Sequence, residues 1–279
     1  MLGRVHRWRL AAPPGVALVL AAGLGWLGCG GSSDSPSSPT TPTPPPTTNA
    51  CSAVSGGASS GLAILNGTEC STSNTSIVLL NIRTTDGSGG QCSGTVIGAR
   101  SVLTAAHCLD GTIQSILVYP GTGNQIPASS FQAHPRYSST GGAAYDVAVV
   151  TTSDDIGRPV IPLLTSRDPR AGETTVLGGW GKDQNGNGTI LRAGLNTVSA
   201  VNALYFETQY STSTASVCYG DSGGSGLLAE GGSWAVGGVT SETSASGYNC
   251  TKSTSYFAGI RASDVKSFIL GLVSDAVQR

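Results

Sequence analysis

Cys218-Tyr219-Gly220-Asp221-Ser222-Gly223-Gly224 sets a serine among glycines, with an acid directly before it. Glycine costs backbone entropy in a regular element, so this spacing suits a sharp turn or a close backbone approach. A turn that presents Ser222 outward also aims the N–H groups of Gly220 and Ser222 at one point. Two such donors can hold the oxyanion that forms when a hydroxyl attacks a carbonyl carbon. In a chain with 40 glycines the same stretch also reads as a Ser/Gly-rich surface loop. The choice rests on whether the chain supplies a base for the hydroxyl and a carboxylate to orient that base.

Only three histidines are available: His6, His107 and His134. His107 ends an apolar stretch, Leu103-Thr104-Ala105-Ala106-His107-Cys108, among small residues. Taken alone it reads as a structural histidine. Asp146 sits at the head of the apolar run Tyr145-Asp146-Val147-Ala148-Val149-Val150. An unpaired carboxylate is costly there, so Asp146 needs a strong hydrogen-bond partner, unless it merely caps a strand. Gly220–Gly224 also fits Gly-x-Ser-x-Gly, the nucleophile elbow of α/β-hydrolases. Those enzymes carry their histidine after the serine, and none follows Ser222. An acid–histidine–serine order would need Asp34, in a Pro/Ser/Thr tract, or Asp86, in a Gly-rich turn. The order His107, Asp146, Ser222 remains.

Thr104–Cys108, Tyr145–Val150 and Gly220–Gly224, in that order, resemble the histidine, aspartate and serine motifs of chymotrypsin-like serine peptidases. The resemblance runs from Ile64 to about Val277. It implies a serine endopeptidase in which His107 is the general base, Asp146 fixes its tautomer and Ser222 is the nucleophile. Gly220 and Ser222 would then form the oxyanion hole. It also implies bridges Cys92–Cys108 and Cys218–Cys250, leaving Cys51 with Cys70. Ile64-Leu65-Asn66-Gly67 resembles the family's mature N-terminus: a cut after Ala63 would free an ammonium to pair with Asp221. A strand end in an uncut chain is the other reading. For specificity, Ser216 takes the place of a pocket-floor aspartate, while Glu242 and Ser255 stand where glycines open the pocket. A narrow pocket for small or medium apolar side chains is expected, with Glu242 either turned outward or attracting a basic residue. A catalytically inert homologue serving as a surface binding module is the alternative function. The resemblance calls for no cofactor and no metal, and for a monomer acting on protein or peptide substrates.

Two further segments carry polar residues without an assigned role. His134-Pro135-Arg136-Tyr137 resembles a non-catalytic loop of the family, which makes His134 structural. Asp183-Gln184-Asn185-Gly186-Asn187-Gly188 mimics half of a calcium loop, but Gly194 stands where the twelfth-position glutamate should be. A flexible surface loop is expected.

The elements that must position these residues are strands. Charged residues make up 11%, and Gly, Ser and Thr abound at the expense of helix formers. Ile77–Ile82, Gly94–Ile97, Ser101–Leu103 and Ile113–Val118 read as strands, broken by Asp86–Gly90 and Asp110-Gly111. Val176-Leu177-Gly178-Gly179-Trp180-Gly181 resembles the strand that opens the family's second barrel. The fold expected is all-β: two packed antiparallel six-stranded β-barrels with a C-terminal helix over Ala262–Val277, capped at Ser263-Asp264.

The N-terminus has a different composition. Residues 1–28 have a basic start and an apolar run from Val16 to Leu27, shorter than the ~20 residues of a membrane span, as in a secretory signal. Leu27-Gly28-Cys29-Gly30 resembles the bacterial lipoprotein cleavage site. Seven cysteines in an exported chain leave one over, and lipidation of Cys29 leaves six for three bridges. The alternative is ordinary cleavage and a soluble secreted protein. Residues 29–50 form a Ser/Thr/Pro-rich tether, 51–63 a propeptide and 64–279 the catalytic domain. Without Arg4, Arg7 and Arg9 there are 12 bases against 16 acids, so no basic patch invites nucleic acid. The membrane enters only through the lipid, at a bacterial outer membrane or cell surface.

Overall fold

Two sets of six antiparallel strands each close on themselves in this computed structural model, which describes residues 49–54, 64–244 and 250–279. The signal, Cys29, most of the tether and Ala63 lie outside the described residues. A short helix α1 (Ala50–Val54) and the two-residue strand β1 (Thr68–Glu69) precede the first barrel. That barrel comprises β2 (Ile77–Thr84), β3 (Gly89–Gly98), β4 (Ser101–Thr104), β5 (Ile113–Tyr119), β6 (Ile126–Ala133) and β7 (Ala148–Thr152). They close in the order β2-β3-β4-β7-β6-β5. The second comprises β8 (Thr174–Gly179), β9 (Arg192–Val201), β10 (Tyr205–Gln209), β11 (Ser225–Glu230), β12 (Ser233–Thr243) and β13 (Thr254–Gly259). Here β9-β10-β13-β12-β11-β8 closes through β8–β9, and β1 pairs with β9 beside β10. The expected fold is the one observed.

The strands follow the apolar pattern, with instructive differences at their ends. Residues 77–80 of β2 are wholly buried, whereas Leu195–Ser199 in β9 alternate exposed and buried as a one-sided strand should. Strand β3 starts at Gly89, inside the expected turn, because the β2–β3 ladder runs on to pair Arg83 with Gly89. The expected strand around Asp146 begins only at Ala148, which leaves Asp146 in the preceding turn. The C-terminal helix α2 spans Ser263–Leu272, shorter than the apolar pattern suggests. Its N-cap is Ala262, which makes no side-chain cap bond; Ser263 is already helical. Beyond it, Leu163 of the inter-barrel segment donates to Val277, and chain and tail pair in parallel.

Trp180, at the end of β8, ties the barrels together: its Nε1–H donates to the Ile77 carbonyl at 3.0 Å. The second barrel is filled by Phe206 and Phe257, stacked with centroids 4.8 Å apart, and by Leu177, Val198 and Ile64. Cys92–Cys108 and Cys218–Cys250 pair as the family resemblance implies, and the remaining two described cysteines form Cys51–Cys70.

Candidate active site

Asp146 is buried and fully occupied. Its Oδ1 accepts the backbone N–H of His107 at 2.8 Å, and its Oδ2 lies 2.7 Å from His107 Nδ1. Ser241 Oγ donates to the same Oδ2 at 2.5 Å. Three donors compensate the cost of taking the carboxylate out of water. With Nδ1–H committed to Asp146, Nε2 of the neutral ring is left as the acceptor. Asp146 is aimed by Tyr145, whose φ of +61° is rare for a side chain of its size. Packing holds that angle in place: Tyr145 stacks on His134 at 5.2 Å and lies under the Arg136 guanidinium at 4.2 Å. His134, buried and edge-on to Phe268, has the structural place expected of it.

His107 lies in a single 3-10 turn, Ala106–Leu109, that follows β4 and is stapled to β3 by Cys92–Cys108. Burial alone would lower its pKa. The hydrogen bond and charge of Asp146 outweigh that, with Asp110 and Glu242 adding to them, and hold it above the ordinary 6.5. The grouping of Cys92, His107 and Cys108 is not a metal site, because both sulfurs are spent in the disulfide.

Ser222 shares a cavity of ≈350 Å³ with His107, lined also by Val217, Tyr219, Thr240 and Glu242. No hydrogen bond joins Ser222 to His107 in this structure; such bonds are often long before substrate binds and tighten in the complex. The turn around Ser222 is held at several points. Gly220 has φ +94° and Gly223 φ +82°, and a side chain at Gly223 would strike Ser93 O and Thr104 Oγ1. Ser93 is central: its N–H donates to Ser222 O at 2.7 Å, its Oγ donates to Gly220 O and accepts from Trp180 N–H. Neither Gly220 N–H nor Ser222 N–H has an acceptor among the described residues. Two unspent donors beside a hydroxyl are what a developing oxyanion requires.

Asp221, fully buried, points away from the cavity. Its oxygens accept Gly181 N–H and Cys218 N–H, each at 2.8 Å. Burial dominates over these bonds and pushes its pKa up to about 6. Ile64 is buried in the second barrel's core with φ +45°.

The specificity residues divide. Glu242 lines the cavity, but Ser216 and Ser255 do not: both are fully buried, bonded to each other at 3.2 Å, and Ser216 N–H is engaged by Leu65 O. The Asp183 segment is also tighter than expected. Asp183 is buried and accepts from Asn185 N–H, Asn187 N–H, Asn187 Nδ2 and Arg192. Its oxygens are saturated by protein donors, which leaves no place for calcium. Arg192, 1% exposed, also donates to Gly181 O and Asn187 O, and so braces the backbone that cradles Asp221.

The family model described as Trypsin matches residues 64–269. Chymotrypsin-like elastase family member 1 of Bos taurus is 29% identical over 205 residues, covering 61% of this chain and 75% of that one. Serine protease Hayan of Drosophila melanogaster is 29% identical over 226 residues, covering 66% of this chain and 34% of that one. A solved HL collagenase shares the fold, with a TM-score of 0.61 at 22% identity, over 74% of this chain and 98% of that chain.

Proposed function

The chain belongs to the trypsin family of serine endopeptidases, and we propose that it cleaves peptide bonds through Ser222, His107 and Asp146. The observation that carries this reading is the hydrogen-bonded line from Ser241 through Asp146 to His107, opening on the cavity that holds Ser222. His107 Nε2 takes the Ser222 proton as Oγ attacks the carbonyl carbon. The carbonyl electrons move onto oxygen, where the N–H groups of Gly220 and Ser222 receive them. The imidazolium, stabilised by Asp146, gives its proton to the leaving amine and an acyl-enzyme remains. Water, losing its proton to His107, then releases the acid.

Activation by a cut before Ile64 belongs to the same proposal. The φ of Ile64 is defined by its bond to Ala63, and +45° is costly for a β-branched residue. A cut abolishes that torsion and leaves an ammonium, for which the underserved carboxylate of Asp221 is a suitable partner. The 49–54 segment stays with the enzyme, held by Cys51–Cys70 and by Val54, whose carbonyl accepts Ser76 N–H. Export by the N-terminal signal and lipidation at Cys29 complete the proposal, with protein or peptide substrates and a monomeric enzyme. With the uncharged Val217, Tyr219 and Thr240 lining the cavity beside Ser222, small or medium apolar side chains are its primary choice.

Cleavage of a peptide library by the processed protein, with Ser222→Ala as control, tests the reading. Cleavage by the wild type alone, after small or medium apolar residues, is expected. Equal cleavage by the alanine variant refutes the role of Ser222.

A further inference from the structure

Resting on the reading of Ser222 and His107 as the reacting pair, we infer that Glu242 selects a lysine or arginine at the substrate residue immediately N-terminal to the one attacked. The cavity holding Ser222 and His107 is lined by one carboxylate, Glu242, and by no lysine or arginine. Nothing among the described residues pairs with or donates to that carboxylate.

Its reach sets which substrate residue it meets. Glu242 belongs to β12 of the second barrel, yet its Oε1 lies 3.0 Å from where a Cβ on Gly142 would be, on the first-barrel loop that leads to Asp146. The side chain therefore spans the cleft on the His107 side. A substrate carbonyl held by Gly220 and Ser222 places its own side chain against Val217, Tyr219 and Thr240. The preceding residue, about 3.3 Å further along an extended chain, then passes His107 and comes under Glu242.

Among the described residues lining the cavity, none offsets the charge of that side. Glu242 acts electrostatically on both His107 and Tyr137. Tyr137 donates to Asp110 at 3.2 Å, a second exposed acid whose charge also reaches His107. The nearby cation, Arg136, is committed to Asp264 and to the face of Tyr145. A substrate ammonium or guanidinium would supply the missing charge, in a cleft that substrate itself closes to water.

The test is a series of peptides identical except at that one residue: lysine, its uncharged isostere norleucine, or glutamate. With the processed wild type at low salt, kcat/KM for lysine should exceed that for norleucine by about fivefold or more, and the ratio should fall as salt rises. Glu242→Gln, a change at an exposed side chain, should bring the ratio to about one; Glu242→Lys should turn the preference to glutamate. A ratio near one in the wild type overturns the inference. So does a ratio that survives Glu242→Gln, or a lysine preference confined to the attacked residue itself. Hydrolysis of the norleucine peptide by wild type and not by Ser222→Ala keeps the two readings apart. If it is present with a flat series, Glu242 alone loses its role; if it is absent, the catalytic reading falls and this one with it.

Discussion

The backbone N–H of Ser93 donates to the carbonyl of Ser222 at 2.7 Å, so a strand of the first barrel holds the proposed nucleophile of the second. His107 and Asp146 also come from the first barrel. This bond and the two made by Ser93 Oγ therefore set the position of the Ser222 hydroxyl relative to His107.

Ser93→Ala keeps the backbone bond but leaves Gly220 O and Trp180 N–H without their partner. Unfolding free energy should fall by about 1–3 kcal/mol. Loosening of the oxyanion turn should lower kcat up to about 100-fold with a smaller change in KM. Urea denaturation and steady-state kinetics read the two effects separately.

Arg192 is one of the largest fully buried side chains among the described residues and sits between Asp183 and Gly181. Arg192→Met removes the countercharge of the buried Asp183 carboxylate and leaves the Gly181 carbonyl without its partner, and should cost about 3–5 kcal/mol. Asp183→Asn in the same background should recover part of that loss, as a double-mutant cycle in chemical denaturation will measure. Calcium or a chelator should leave the melting temperature unchanged.

The pH profile of catalysis follows from His107. It must be neutral to accept the proton, and its pKa is raised, so kcat/KM should rise with pH through a midpoint above 6.5. Glu242→Gln and Asp110→Asn remove charges that favour the cation, and each should shift that midpoint to lower pH. Asp146→Asn removes the principal stabiliser and should lower kcat by about 10⁴-fold.

Asp221 makes the uncut chain sensitive to pH in a way the processed one should not be. Its folded pKa of about 6 lies above the ordinary 3.8, so the folded state binds the extra proton. The associated stability is complete below pH ~4 and is lost as pH rises through about 6, at about 1.4 kcal/mol per unit, or roughly 3 kcal/mol in all. Asp183, Glu230 and Asp264 have lowered pKa values and pull the opposite way, so the comparison is between forms. An Ile64 ammonium should hold Asp221 ionised and erase its share. Denaturation curves from pH 4 to 7 on cut and uncut protein will show whether it does.

The proposed reacting groups are legible in the sequence because each lies in a short run whose residue types the chemistry dictates. Three histidines and a fixed order left few alternatives. Ser93, Ser241 and Arg192 carry no such signature: each acts on a residue far away in sequence or through a backbone carbonyl. The closest hint was Ser93, beside the Cys92 that staples the His107 turn. Sequence position also does not reveal that the hydroxyls of Ser216 and Ser255 meet each other in the interior rather than line the cavity. The Asp183 loop reads as loose by composition, but a buried arginine from β9 organises it. Barrel closure follows from the resemblance alone, since the β8–β9 and β2–β5 pairings that close the two sheets are not readable from strand pattern.

The central claim is that Ser222 is a nucleophile activated by His107. Reaction of the processed protein with a fluorophosphonate, followed by peptide mass mapping, tests it most directly. The account predicts one equivalent of label on Ser222, lost in Ser222→Ala and slowed by orders of magnitude in His107→Ala. An unlabelled Ser222 in processed, folded protein, or labelling that does not depend on His107, would contradict it.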